Sequence, residues 1–144
     1  MTDTASTLGS VRVLELASVL AGPLAGAALA ERGAHVTKVE RPPHGDVTRS
    51  WKTNGESKDT ITSAYYASAN GNKKVVWHDL KTEEGRRWLE KALADHDVVI
   101  ENFKTADLPG FGLEPEALAR RHPHIIHVRL IGFEGQPNAS LTMW

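Results

Sequence analysis

Short runs of β-branched and leucine residues alternate with helix-like segments along this chain, and this alternation constrains the fold more than any other feature. Five runs have the length and composition of buried strands, at residues 11–16, 35–40, 74–78, 97–101 and 125–131. Helix signals lie between several of them, at residues 23–32, after Thr82 and at residues 114–121. The alternation predicts right-handed βαβ units, and so an α/β fold with a mostly parallel sheet.

Composition excludes several classes of protein. The chain has 144 residues, of which 40% are hydrophobic and 24% charged, which is typical of one ordinary folded domain. A net charge of -1 gives no overall field that favours nucleic acid or an anionic membrane. Cysteine is absent, which excludes disulfides and thiolate chemistry and fits a cytoplasmic location. The most apolar stretch, residues 14–30, contains Glu15 and Pro23 and is too short to span a membrane.

An open parallel sheet binds ligands at the carboxyl ends of its strands. This rule nominates four connections, at residues 17–23, 40–49, 78–82 and 101–105. The small residues of the first suit either close approach of a ligand to the backbone or tight packing of a helix on the sheet, and the pattern favours packing. The long irregular segment at residues 41–63 is of a kind that is often functional.

The other connections carry charged side chains. In the second, Arg41 and Arg49 could grip a phosphate, although a solvated loop with a local Asp46–Arg49 ion pair is the simpler interpretation. The third and fourth each place polar side chains and a lysine beyond a strand, at residues 79–82 and 101–104. Several such groups on one sheet edge indicate a site for a polyanion.

Other conspicuous residues have simpler interpretations. The spacing of His122, His124 and His127 favours surface or strand-start histidines over a zinc site, and we predict no metal. Ser18 lacks the context of a nucleophile elbow. Aromatic residues that we expect in the core are Trp77, Trp88 and Phe103.

Five ordered blocks of sequence carry a resemblance to a known family. They are VRVLELASVLAGPLAGAALAERGAHVTKVERPPHGDVTR at residues 11–49, NGNKK at 70–74, DLKTEEG at 79–85, DVVIENF at 97–103, and the segment from Leu113 to Phe133. In this order the blocks resemble the class III coenzyme A (CoA) transferases, the family of formyl-CoA transferase and carnitine-CoA transferase. The resemblance runs from about residue 11 to residue 133.

The resemblance implies a Rossmann-like sheet that forms the N-terminal part of the large domain of such an enzyme and binds CoA. Residues 1–10 would be a flexible N-terminus, 11–133 the CoA-binding portion and 134–144 an irregular tail. The family's CoA contacts carry over to Leu20, Ala21, Arg41, His78, Asp79, Leu80, Lys81, Asn102, Phe103 and Lys104. Phosphate groups would contact Arg41, Lys81 and Lys104, and the adenine or pantetheine path would be lined by Leu20, Ala21 and Phe103.

The family transfers CoA between carboxylic acids, and its nucleophile is an aspartate that forms an acyl anhydride and then a CoA thioester. That aspartate follows the Gly-Phe block, which here is Gly132-Phe133 and is followed by eleven residues without an aspartate. The resemblance therefore implies that the nucleophile lies beyond this chain. It also implies that the chain alone holds no catalytic residue and is inactive, and that the intact member is a homodimer acting on an acyl-CoA and a carboxylic acid.

Other interpretations stay open from sequence alone. The chain could be a truncated, non-catalytic remnant that binds CoA, a fragment of an α-methylacyl-CoA racemase-like enzyme, or a generic nucleotide-binding module. Racemases often carry Gly-Trp where this chain has Gly132-Phe133, which favours a transferase. Gly110, His78 and Ala69 depart from the formyl-CoA transferase pattern, so the sequence gives no support for oxalate or formate as substrates.

Overall fold

The computed structural model describes residues 7–132, which form five strands and five α-helices. The strands are β1 (Arg12–Glu15), β2 (His35–Glu40), β3 (Lys74–Trp77), β4 (Val98–Glu101) and β5 (Ile126–Arg129). The helices are α1 (Ala21–Glu31), α2 (Ala64–Asn70), α3 (Glu83–Asp95), α4 (Leu108–Phe111) and α5 (Pro115–Arg121). The described residues also contain two short 3-10 helices, Val47–Ser50 and Thr105–Asp107.

The strands form one parallel sheet in the order β3-β2-β1-β4-β5. In the central register, Val13 of β1 lies between Val36 of β2 and Val98 of β4. The chain runs outward from β1 to β3 and then returns to β4 on the other side of β1. The predicted α/β fold is confirmed, and the order places a topological switch point beside β1, where such sheets bind ligands.

Apolar side chains cover both faces of the sheet. Leu14 belongs to the larger core, with Leu89 and Leu93 of α3, and Val13 belongs to the smaller core, with Ala34 and Val36. Because successive residues of a strand point to opposite faces, neighbours such as Val13 and Leu14 are buried against different layers. Burial on both faces explains why the strands have continuous apolar runs instead of alternation.

Helix α1 packs very closely on the sheet, as its small residues predict. A Cβ atom added to Gly22 would collide with Ala17, and one added to Gly26 would collide with the carboxylate of Glu15. The helix begins at Ala21, two residues before the predicted start at Pro23. The packing interpretation of the first connection is therefore confirmed, while ligand approach at that connection stays a prediction.

The structure resolves one segment that sequence leaves open and corrects one expectation. Sequence alone favours neither helix nor strand from Tyr65 to Asn72, and this segment forms most of helix α2, whose first turn is capped by the Ser63 hydroxyl, an acceptor from the Tyr66 amide at 2.9 Å. The prediction that Trp77 lies in the core is wrong, because β3 is an edge strand and leaves this residue 44% exposed. Trp88 and Phe103 do pack against the larger core, partly buried.

The expectations for residues 1–6 and for the tail at 134–144, together with the position of Phe133, lie outside the described residues. Just before β1, the Leu8 amide donates to the Arg32 carbonyl at 3.1 Å and ties residues 7–10 to the end of α1. Among the helices of residues 7–132, none is long and apolar enough to cross a membrane.

Candidate functional site

A cleft of about 320 Å³ lies at the carboxyl ends of the strands, beside the switch point. The segments that follow β1, β2, β3 and β4 all line it, so the cleft lies where the sheet rule places a ligand. The lining includes residues 16–18, 38–41, 45–47, 78–81, Phe103 and Phe111.

A buried lysine holds the floor of the cleft together. The Nζ atom of Lys38, in β2, lies 3.0 Å from Glu15 Oε1, 3.1 Å from Asp46 Oδ2 and 2.9 Å from the Ala17 carbonyl oxygen. These three partners use all three N–H donors of the ammonium group. Burial raises the pKa of Asp46, but Lys38 and the hydrogen bonds from Thr48 outweigh that effect and lower it.

A second lysine with a buried side chain, Lys73, joins this network from the turn between α2 and β3. Lys73 Nζ lies 2.7 Å from Glu15 Oε2 and donates to the carbonyl oxygens of Pro23 at 2.7 Å and Ala69 at 2.8 Å. Glu15 therefore lies between two cations. Burial lowers the pKa of Lys73, and its attraction to Glu15 opposes the shift.

The second network joins β2, the loop after it and α2. Arg49 donates to Glu40 through Nε at 2.6 Å and Nη2 at 2.9 Å, and Tyr66 donates its hydroxyl to Glu40 Oε1 at 2.5 Å. The predicted Asp46–Arg49 pair is therefore wrong: Asp46 turns inward to Lys38, and Arg49 reaches the end of β2. Burial raises the pKa of Glu40, but the bonds from Arg49 and Tyr66 lower it overall.

A third buried carboxylate organises the end of β4. Glu101 accepts from Arg129 Nε at 2.7 Å and from the Phe103 amide at 2.7 Å. Burial raises the pKa of Glu101, but hydrogen bonds from His127 and Arg129 lower it overall. Three neighbouring strands, β1, β2 and β4, thus end in a buried glutamate that is paired with a cation, and Glu40 of this set lines the cleft.

The mouth of the cleft carries two exposed cations arranged around one carboxylate. Arg41, whose side chain is 64% exposed, donates from Nε to Asp79 Oδ2 at 3.1 Å. The Oδ1 atom of Asp79 accepts from the Lys81 amide at 3.0 Å, and this bond with the nearby Arg41 lowers the pKa of Asp79. Asp79 therefore keeps Arg41 and the exposed Lys81 on the same side of the cleft.

Two aromatic stacks form the less polar walls. The His78 ring stacks on Trp88 with centroids 4.0 Å apart, and Phe103 stacks on Phe111 with centroids 4.7 Å apart. The walls provide flat apolar surface beside the cations of the mouth, an arrangement that suits a ligand with both an aromatic ring and anionic groups.

The structure brings six of the ten predicted contact residues into the cleft lining. These are Arg41, His78, Asp79, Leu80, Lys81 and Phe103. The other four do not line it: Leu20 and Ala21 lie at the start of α1, Lys104 is exposed before a 3-10 turn, and Asn102 is bonded to Ser18, which does line the cleft. The sequence prediction missed Lys38 and Asp46, although a lysine inside a strand that was expected to be buried was a usable signal.

The three histidines do not form one cluster, although the rings of His122 and His124 meet edge to face with centroids 5.9 Å apart. His122 lies 2.8 Å from Glu90 on α3, His127 lies 3.4 Å from Glu101, and His124 is exposed. Over residues 7–132, no cluster of three or more histidine, aspartate or glutamate side chains could hold a metal ion.

The sheet order and the cleft define a Rossmann-like α/β protein with a site suited to an anionic, partly aromatic ligand. The family model described as CoA-transferase family III matches residues 8–142, so the chain belongs to that family.

Individual relatives agree with this assignment. The succinate–glutarate CoA-transferase of Agrobacterium fabrum is 43% identical over 129 residues, covering 88% of this chain and 32% of the relative. The succinyl-CoA:glutarate CoA-transferase of Mus musculus is 40% identical over 131 residues, covering 91% of this chain and 29% of the relative. This chain therefore spans about a third of the length of these curated relatives.

A solved structure shares the fold. The crystal structure of a CAIB/BAIF family protein from Brucella suis superimposes with a TM-score of 0.83 at 39% identity. The superposition covers 94% of this chain and 36% of that protein. The described sheet therefore corresponds to one part of a larger family fold.

Proposed function

We propose that this chain forms the CoA-binding portion of an enzyme that transfers CoA between carboxylic acids. The observation that carries the proposal is the cleft mouth, where Asp79 binds the Arg41 side chain and the Lys81 backbone, and both basic residues line the cleft at the ends of β2 and β3. Family membership supplies the chemical class of the ligand.

The cleft matches the chemistry of CoA in two respects. CoA carries several phosphate groups, and Arg41 offers its terminal guanidinium nitrogens while Nε is bonded to Asp79. Its adenine ring and pantetheine chain need flat and apolar surface, which Phe103 and the His78–Trp88 stack provide. Leu20, Ala21 and Lys104 would extend the contacts beyond the cleft lining, with Lys104 a third cation for phosphate, and Asn102 would act on the site through its bonds to Ser18.

The names of the relatives support a dicarboxylic substrate class. The relatives from Agrobacterium fabrum, Mus musculus and Homo sapiens, at 43%, 40% and 39% identity, are all named for succinate or succinyl-CoA with glutarate. We extend this to a CoA thioester of a short dicarboxylic acid as donor, with a carboxylic acid as acceptor. The intact enzyme is proposed to be a cytoplasmic homodimer that needs no metal.

The nucleophile is proposed to be an aspartate that lies outside this chain. The acidic side chains that line the cleft, Glu40, Asp46 and Asp79, are each held by a basic side chain, respectively Arg49, Lys38 and Arg41. The Lys81 amide and Arg41 lower the pKa of Asp79, and the ion pairs and hydrogen bonds of Glu40 and Asp46 outweigh burial and lower theirs, which makes all three weak nucleophiles toward a thioester.

We therefore expect the 144-residue chain alone to catalyse no CoA transfer. The measurement is incubation with succinyl-CoA and glutarate, followed by chromatography for glutaryl-CoA. The positive control is a relative, the succinate–glutarate CoA-transferase of Agrobacterium fabrum. Enzyme-dependent glutaryl-CoA from the 144-residue chain would contradict the placement of the nucleophile.

Binding is a separate prediction, because the cleft is built from residues of this chain. We expect Arg41→Ala to weaken CoA binding by about tenfold, since a charged hydrogen bond to phosphate contributes about 1.5–3 kcal/mol. Isothermal titration calorimetry with free CoA measures the change.

The matched control is Arg12→Ala. Arg12 is also an exposed arginine with an aspartate partner, Asp97, but it begins β1 and so lies at the opposite end of the sheet. Equal affinity of the Arg41→Ala protein and the unmodified chain, or an equal loss in both variants, would refute the role of Arg41 in phosphate binding.

A further inference from the structure

Residues 17–19, the first turn, lie in the connection between β1 and α1. Three polar side chains from other segments bind the backbone of this turn. Lys38 Nζ donates to the carbonyl oxygen of Ala17 at 2.9 Å. Asn102 binds the next residue twice, accepting from the Ser18 amide at 3.1 Å and donating to its carbonyl oxygen at 3.0 Å. Asp46 accepts from the Val19 amide at 3.1 Å.

The turn needs such support because of its backbone conformation. Val19 has a φ of 71°, in the left-handed region, which β-branched residues rarely adopt. Such a conformation persists only when surrounding contacts over-determine it, and these cases cluster at ligand sites. Ala17 and Ser18 of the same turn line the cleft, so the strained backbone lies at the candidate site.

We propose that Asn102 and Asp46 are positioning residues for CoA binding, acting through the first turn and not by direct contact with the ligand. This inference rests on the proposed function. Both polar atoms of the Asn102 side chain are bonded to Ser18, and Asp46 is buried beneath the turn. Together they hold the turn, before any ligand arrives, in the form that lines the cleft.

The energetic consequence is a change in apparent affinity. A ligand that requires one conformation of the turn binds in proportion to the population of that conformation. Loss of the Asn102 bonds would let the first turn relax away from the left-handed φ of Val19. Glycine at position 19 would reduce that relaxation, because glycine populates positive φ about as readily as negative φ.

The test is a double-mutant cycle of Asn102→Ala and Val19→Gly on the 144-residue chain. Asn102 is the better residue to replace, because removal of Asp46 would take one of its two carboxylate partners from the buried Lys38 and so disturb the floor of the cleft as well. Calorimetric titration with CoA gives the affinity of each variant, and amide hydrogen exchange followed by NMR reports on Ser18 and Val19 without any ligand. Asn54→Ala, an exposed asparagine change in the long loop, is the matched control.

The cycle has defined expectations. Asn102→Ala should weaken CoA binding by about fivefold and speed exchange of the Ser18 amide, since two hydrogen bonds are lost. In the Val19→Gly background the same change should cost only about twofold, because the turn no longer needs the support. Asn54→Ala should leave both readouts unchanged.

Three results would overturn the inference. An equal loss of affinity in both backgrounds means that Asn102 touches the ligand itself. Unchanged exchange of the Ser18 amide in Asn102→Ala means that the bonds do not hold the turn. Failure of the unmodified chain to bind CoA overturns the proposed function and with it the ligand role of the turn, and the exchange data then separate that failure from a failure of the bonds.

Discussion

Replacement of Lys38 by methionine is expected to lower the free energy of unfolding by about 3–5 kcal/mol, which is the cost of leaving a buried charge without its partner. The side chain of Lys38 is 1% exposed and lies within 3.1 Å of Asp46 and 3.0 Å of Glu15. Methionine fills the same volume but provides no cation. Urea denaturation at neutral pH, followed by circular dichroism, measures the change.

The matched control is Lys74→Met. Lys74 begins the neighbouring strand β3 and pairs with Thr37 of β2, the residue before Lys38. Unlike Lys38, it is exposed. A surface substitution of this kind changes stability by about 0.5 kcal/mol or less. If both variants unfold at the same urea concentration, the buried lysine does not hold the sheet, and our account of the cleft floor is wrong.

The result matters for function because Lys38 contributes both to the stability of the sheet and to the lining of the cleft. Lys38 also donates to Ala17 in the first turn, so the network that keeps β1 and β2 together also shapes the cleft. A compensating change is available: Asp46→Asn combined with Lys38→Met removes the carboxylate that loses its cation, while Glu15 stays paired with Lys73. That double variant should recover part of the stability, because a neutral amide costs less to bury than an unpaired carboxylate.

Local sequence determined the strands and the sheet edge that carries the cleft. Runs such as VRVLEL at residues 11–16 are apolar enough to be buried on both faces, and the connections between the runs are long enough for the helical crossovers that parallel strands need. Since the carboxyl ends of parallel strands meet at one edge, Arg41 and Lys81 could be placed together without knowledge of the contacts. The motif resemblance then supplied the ligand.

The partners of buried charges could not be predicted in the same way. Asp46 and Arg49 are three residues apart, so a local pair was the simplest expectation, but the loop turns one inward to Lys38 and the other to Glu40. Which direction each side chain takes depends on the path of the backbone after Pro43. Tyr66, which completes the Glu40 network, lies in a segment whose helical character was ambiguous from sequence.

Exposure of the aromatic residues depends on sheet order, which local sequence does not encode. Trp77 and Trp88 both look like core residues, yet Trp77 lies in edge strand β3 and Trp88 packs under His78. The positive φ of Val19 could not be predicted from sequence either, because valine rarely adopts it and the supporting Asn102 is 83 residues away. Long-range contacts determined both outcomes.

Acidification is expected to destabilise the chain strongly, with most of the loss below about pH 5. The folded state lowers the pKa of Glu40 and Glu101 from the ordinary 4.5 and that of Asp46 from 3.8. Where a folded pKa is below the unfolded one, the unfolded chain binds more protons, so stability falls as pH falls. The contribution of each group is complete above its ordinary pKa and is lost as pH passes down through the folded value.

Urea denaturation at half-unit steps from pH 7 to pH 3 tests this, with Glu40→Gln and Glu116→Gln as matched variants. Glutamine at position 40 cannot titrate, so that variant should be less stable at pH 7 but should lose less on acidification than the unmodified chain. Glu116, exposed in the first turn of α5, provides the same chemical change away from the buried networks. Its substitution should leave the pH dependence unchanged.

One outcome would contradict the assignment of the network formed by Glu40, Arg49 and Tyr66. If Glu40→Gln and the unmodified chain lose equal stability between pH 5 and pH 3, Glu40 is not held as a carboxylate by Arg49 and Tyr66.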